Sequence, residues 1–96
     1  MQKKAILIND KDNVATLTEE IKKGDSVRVV GAEEEIALTA NENIPFGHKI
    51  ALRKIQENER VKKYGEDIGV AEKPIKIGSH VHTHNLKTLR CLVKID

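Results

Sequence analysis

Gly78-Ser79-His80-Val81-His82-Thr83-His84-Asn85 is the densest chemistry in the chain, holding three of its four histidines at every second position. An extended backbone has a side-chain period of 2, so this spacing predicts a strand from Ser79 to Asn85. It would have His80, His82 and His84 on one face and Val81 and Thr83 on the other. Successive imidazoles would then stand roughly 6–7 Å apart. A His-x-His pair suits Zn²⁺, Fe²⁺ or Mn²⁺, because two rings can converge on one ion about 2.0–2.2 Å from each nitrogen. Three in a row on a straight strand rarely close on one ion, so a carboxylate from elsewhere or a ligand from a partner chain would complete the set. An exposed polar strand face, with imidazoles hydrogen-bonded in a loop, is the competing reading of the same residues.

Two further groups carry chemistry. Phe46-Gly47-His48-Lys49 sets His48 and Lys49 side by side after a glycine, as proton donors or carboxylate binders on a loop. Val61-Lys62-Lys63-Tyr64-Gly65 holds the chain's one tyrosine, which is expected to pack in the core. The acidic run Glu33-Glu34-Glu35 reads as a solvated hairpin tip. Cys91, the single cysteine, lies in Leu89-Arg90-Cys91-Leu92-Val93 and reads as a buried, inert thiol in a strand. No nucleophile elbow, phosphate-binding glycine loop, dinucleotide fingerprint or Cys-x-x-Cys pair is present.

The elements that must position these residues are short. Ala5–Ile8 reads as a buried strand. Val14, Leu17 and Ile21 recur at helical spacing, with Asp12 or Asn13 as N-cap and Gly24 beyond the end, which predicts one short helix. Ser26–Val30 and 35–38 predict a hairpin around Gly31. Lys49–Ile55 follows the loop at Pro45, residues 56–60 are turn-like, and Arg60–Tyr64 fits strand or helix. Leu89–Ile95 gives a last apolar strand. Short strands punctuated by glycines argue for an all-β, barrel-like fold rather than a parallel βαβ sheet. No internal repeat and no linker are evident, so residues 1–96 are expected to form a single domain.

Composition narrows the function. The 96 residues carry 17 basic and 15 acidic side chains, a net charge of +2, which is no footprint for nucleic acid. Phe46 and Tyr64 are the only aromatics, so stacking platforms for bases or sugar rings are missing. A lone cysteine favours a reducing compartment, and the apolar run after Lys3-Lys4 breaks at Asn9, short of a signal peptide. No segment reaches the ~20 apolar residues of a membrane span. The expectation is a cytoplasmic protein with no membrane or nucleic-acid partner. So small a core leaves room for homo-oligomers.

These motifs in this order resemble the small SAF-type domain of the altronate and galactarate dehydratase family. The resemblance is carried by Asp12-Asn13-Val14-Ala15, Lys23-Gly24-Asp25, Gly47-His48-Lys49, Lys63-Tyr64-Gly65, Ile68-Gly69 and Gly78–Asn85. It covers about Lys4 to Thr88, and its most specific part is His80–Asn85. It implies a β-clip fold, found either fused to a large catalytic domain or as a separate small subunit. A closely similar small subunit occurs in sulfolactate sulfo-lyase. The resemblance further implies elimination from a sugar acid or hydroxy acid, with Fe²⁺ or Mn²⁺ and a large catalytic subunit as partner. It suggests His80, His82 and His84 as metal ligands, His48 and Lys49 as catalytic, and Lys63, Tyr64 and Asn85 as substrate-binding. A non-catalytic carbohydrate- or anion-binding module and a metal-handling protein are the readings that compete with it.

Overall fold

A computed structural model describes residues 3–31 and 36–88. Within them lie nine short strands: β1 Lys3–Ile6, β2 Val14–Leu17, β3 Ser26–Val30, β4 Ile36–Thr39, β5 Lys49–Ala51, β6 Arg60–Lys63, β7 Glu66–Ala71, β8 His80–Val81 and β9 Leu86–Thr88. The described residues contain no helix. Six strands form one sheet in the order β4-β3-β1-β2-β5-β8, and three form a second in the order β6-β7-β9. The pair β1/β3 is parallel, with Ala5 opposite Val29; the other pairs are antiparallel. Asn41 N–H donates to the Gly78 carbonyl at 2.8 Å, joining the segment after β4 to the segment before β8. The large sheet thereby curls into a half-barrel.

The expected hairpin around Gly31 is present as β3 and β4, paired from Ser26↔Thr39 to Val29↔Ile36. The uncertain Arg60–Tyr64 stretch is strand β6. The expected strand at Leu89–Ile95, with Cys91, lies outside the described residues, as does the acidic tip Glu33–Glu35.

The predicted helix over Val14–Lys23 is absent. Val14–Leu17 is a strand, and Ile21 makes an isolated bridge to Ile44. The reason is a local unit that the structure uses four times: a buried residue, three residues of bend, an isoleucine, two more residues, and a residue with positive φ. The isoleucines are Ile21, Ile44, Ile55 and Ile75. The residues three further on are Gly24, Gly47, Asn58 and Gly78, with φ of 94°, 81°, 69° and 82°. In each unit the N–H one residue later closes a turn onto the carbonyl just after the isoleucine. These are Asp25 to Lys22, His48 to Pro45, Glu59 to Gln56 and Ser79 to Lys76, at 2.9–3.2 Å. A left-handed third residue is what a type II turn requires. The chain therefore has an internal repeat, contrary to the expectation from sequence.

The units work in pairs. Ile21 and Ile44 exchange N–H···O bonds at 3.0 Å, and Ile55 and Ile75 do so at 2.9 and 2.8 Å. Within each pair the positive-φ residue donates to the buried residue that opens the other unit: Gly24 to Ala40, Gly47 to Leu17, Asn58 to Ala71 and Gly78 to Ala51. Each unit thus satisfies the backbone groups its partner leaves open. All four isoleucines are buried, each burial worth roughly 1.5–3 kcal/mol.

Two hydrophobic clusters result. Leu17, Ile21, Val27, Val29, Ile44 and Ile50 anchor the first. Val14, Ala51, Ile55, Val61, Ile75 and Val81 anchor the second. Strands β2 and β5 are the wall between them: Ala15 and Ile50 face the first cluster, Val14 and Ala51 the second. That is period-2 alternation with both faces buried.

Candidate metal and carboxylate site

His48 leaves the turn of the second unit at the head of β5. Strand β5 pairs antiparallel with β8, with Lys49 opposite Val81 and Ile50 opposite His80. Continuing that register by one residue sets His48 across from His82, and their rings stack with centroids 4.2 Å apart and planes at 27°. His48 Nδ1 lies 2.8 Å from His80 Nε2. The His80 ring is 5.5 Å from that of His82 and 5.1 Å from that of His84. All four histidines of the chain therefore form one cluster.

The predicted continuous strand over Ser79–Asn85 does not carry them. Strand β8 ends at Val81, and residues 82–85 turn back. Asn85 makes the turn: its N–H donates to the His82 carbonyl at 3.0 Å and its Oδ1 accepts the His82 N–H at 3.0 Å. Its Nδ2 donates to the His80 carbonyl at 2.8 Å. Asn85 is buried, so its amide shapes the histidine loop. This turn replaces the single histidine face expected of an extended backbone, and His84 makes its ring contact with His80.

Burial, then the neighbouring imidazoles of His84 and His48, push His80 down to about 4, against a smaller opposing effect of Glu42. His82 is also lowered, by burial first and then by His48, Lys49 and His84. Rings held neutral near pH 7 keep a nitrogen lone pair free for a metal or a proton. Lys49 is lowered as well, by burial and then by the charge of Lys63.

Lys63 ends β6 and Tyr64 follows it in the turn to β7. Tyr64 and Gly65, with φ of 59° and 74°, form the two-residue turn between β6 and β7, a type I′ geometry. Tyr64 is 57% exposed rather than packed in the core, with Lys63 Nζ 4.8 Å from its ring centroid. A two-residue hairpin points its turn outward, which overrides the preference of a tyrosine for burial.

Sequence reasoning missed Glu42 and gave Asp12 and Asn13 a different role. Asp12 is no helix cap: its carboxylate accepts the N–H groups of Tyr64 at 2.9 Å and Gly65 at 2.8 Å, fixing that turn. Asn13 grips β6 in the same way, through the Arg60 carbonyl and the Lys62 N–H. Glu42 Oε2 accepts the His80 N–H at 3.0 Å. Beside it, Asn41 Nδ2 donates to Ser79 Oγ at 2.8 Å. No spacing signal marks Glu42, because its relation to His80 is made by the pairing of two distant segments.

Two sets of side chains present one ligand atom each within 4.8 Å of one another: His48, His80 and His82, and Glu42, His80 and His84. Two nitrogens on one ion lie about 3.0–3.4 Å apart, so both sets fit a divalent cation with small ring movements.

The family model for the altronate/galactarate dehydratase SAF domain matches residues 3–89. The altronate dehydratase of Bacillus subtilis (strain 168) is 42% identical over 86 residues, 90% of this chain and 16% of that protein. The (2R)-sulfolactate sulfo-lyase subunit alpha of Paracoccus pantotrophus is 45% identical over 62 residues, 65% of this chain and 92% of that subunit. The altronate dehydratase of Escherichia coli (strain K12) is 37% identical over 83 residues, 86% of this chain and 16% of that protein. The chain thus spans about a sixth of the length of the altronate dehydratases it matches and nearly all of one sulfo-lyase subunit. With the fold all-strand and the motif histidines drawn together, the chain belongs to the SAF domain family of altronate and galactarate dehydratases.

Proposed function

We propose that this chain is the small accessory part of a hydroxy-acid lyase of the altronate or galactarate dehydratase type, built on a β-clip fold, cytoplasmic and inactive alone. It brings a cation-binding histidine cluster and two carboxylate-binding lysines, Lys49 and Lys63, to a site that a large catalytic subunit completes. The observation that carries this reading is His48. It comes from a different unit than His80, His82 and His84, yet its ring lies against those of His80 and His82. A structural histidine gains nothing from two imidazole neighbours; a ligand set does.

Elimination needs a proton removed α to a carboxylate while the β leaving group departs, and the charge that builds on the carboxylate must be held. A bound Fe²⁺ or Mn²⁺ would supply Lewis-acid polarisation of the substrate's oxygens. In this reading Lys49 and Lys63 bind the carboxylate by charge, His48 or Lys49 gives a proton to the leaving hydroxyl, and the exposed Tyr64 offers a phenol.

A sulfolactate sulfo-lyase role is the second reading, in which sulfite leaves instead of water. It is favoured by the 92% coverage of the Paracoccus pantotrophus subunit.

Reconstitution tests both. The chain alone should be inactive, and adding a purified large subunit should restore loss of water or of sulfite, naming the substrate. In the reconstituted enzyme His82→Ala should lower turnover by about 10²-fold or more, with the chain still folded. Unchanged turnover would remove His82 from the site. A monodisperse chain that neither engages nor activates a large subunit would leave a non-catalytic anion-binding module.

A further inference from the structure

The histidine cluster offers two ligand sets that share His80, and they differ in chemistry. His48, His80 and His82 would supply three imidazole nitrogens. The contact of His48 Nδ1 with His80 Nε2 at 2.8 Å is already a hydrogen bond, which an ion there would have to replace. No carboxylate belongs to this set, and Lys49, the chain neighbour of His48, brings a cation close to it. Glu42, His80 and His84 instead combine two imidazoles with one carboxylate. That donor set, with open coordination positions, is the one suited to Fe²⁺ and its hard neighbours. Glu42 is held in place by the His80 N–H at 3.0 Å. Beside it a cleft of about 280 Å³ is lined by Glu42, His84, Lys73, Lys76 and Ser79 among others. An ion bound by Glu42 and His84 would present its open positions to that cleft, where the two lysines favour an anionic ligand.

We propose that Glu42, His80 and His84 are the seat of the divalent cation, a two-histidine, one-carboxylate set that opens on this cleft. His48 and His82 are left as acid–base groups beside it. The inference rests on reading the histidine cluster as a cation site and adds Glu42, which no motif in the chain marks.

Mn²⁺ is the probe. Free Mn²⁺ in titrations of the full chain is counted by electron paramagnetic resonance, with calorimetry as a second readout. Gln in place of Glu42 keeps a carbonyl oxygen for the His80 N–H, so Glu42→Gln is expected to fold, and circular dichroism checks it. Glu42→Gln and His84→Ala should each weaken Mn²⁺ binding by about 10-fold or more, while His82→Ala should change it by less than about 3-fold. If His82→Ala abolishes binding and Glu42→Gln leaves it unchanged, the ion sits on the three-histidine set and the inference falls, with the cation reading intact. If the unsubstituted chain binds no Mn²⁺ either alone or with the large subunit, the cation reading of the cluster falls as well.

Discussion

A histidine kept neutral well below its ordinary pKa records itself in the stability of the protein. His80 sits at about 4 in the folded chain and near 6.5 when unfolded, and His82 is shifted the same way. Between those values the unfolded chain takes up a proton that the folded chain refuses, so the slope of stability against pH is positive there. Stability is therefore full above about pH 6.5, is lost as pH falls toward 4, and loses no more from His80 below that. Melting temperatures of the metal-free chain should drop across this window, and a His80→Asn variant should flatten the profile. A flat profile for the unsubstituted chain would contradict the burial of His80. The imidazoles at positions 80, 82 and 84 were legible as a group because they alternate in sequence. Glu42 and Asp12 were not, because each acts on an N–H some 38 to 53 residues away along the chain.

At the scale of elements, the four repeated turns make equivalent positions comparable. Gly24 and Gly78 are the same residue of the unit, with φ of 94° and 82°. A Cβ on Gly24 would meet nothing within 4 Å, whereas one on Gly78 would lie 2.2 Å from the Thr39 carbonyl oxygen. Gly24→Ala should therefore cost only the left-handed penalty, about 1–2 kcal/mol. Gly78→Ala should cost clearly more, because backbone must move, and it should disturb His80 two residues later. Urea unfolding of the two variants measures this, and equal losses would mean that the contact at Gly78 yields freely. The same unit explains why Val14, Leu17 and Ile21 read as a helix. Leu17 ends a strand, and Ile21 follows after a bend, a spacing of four that mimics a helical turn. The repeat itself stayed hidden because its isoleucines, at 21, 44, 55 and 75, are 23, 11 and 20 residues apart, and beside them only an opening Ala and a positive-φ Gly recur, each in three of the four units. The β-rich class was legible all the same, since short apolar runs and frequent glycines survive any such local misreading.

For the whole molecule, the shared wall of β2 and β5 decides how the chain unfolds. Val14 and Ala51 fill the second cluster while Ala15 and Ile50, their chain neighbours, fill the first. Neither cluster can open without turning one face of this wall to water. Asp12 and Asn13 add side-chain hydrogen bonds from the start of β2 to the β6–β7 hairpin, so the small sheet is tied to the large one at the same place. The two clusters should therefore melt together. Ile55→Ala, deep in the second cluster, should cost about 2–5 kcal/mol through lost burial and the cavity left behind. Amide exchange should speed by the same factor for Val27 and Val29 in the first cluster as for Val61 in the second, provided exchange proceeds through global opening. Protection that fell only around Val61 would show that the wall can split. The histidine site would then be exposed to separate motions of its two sides, since His48 is held by a unit of the first cluster and His80 by a unit of the second.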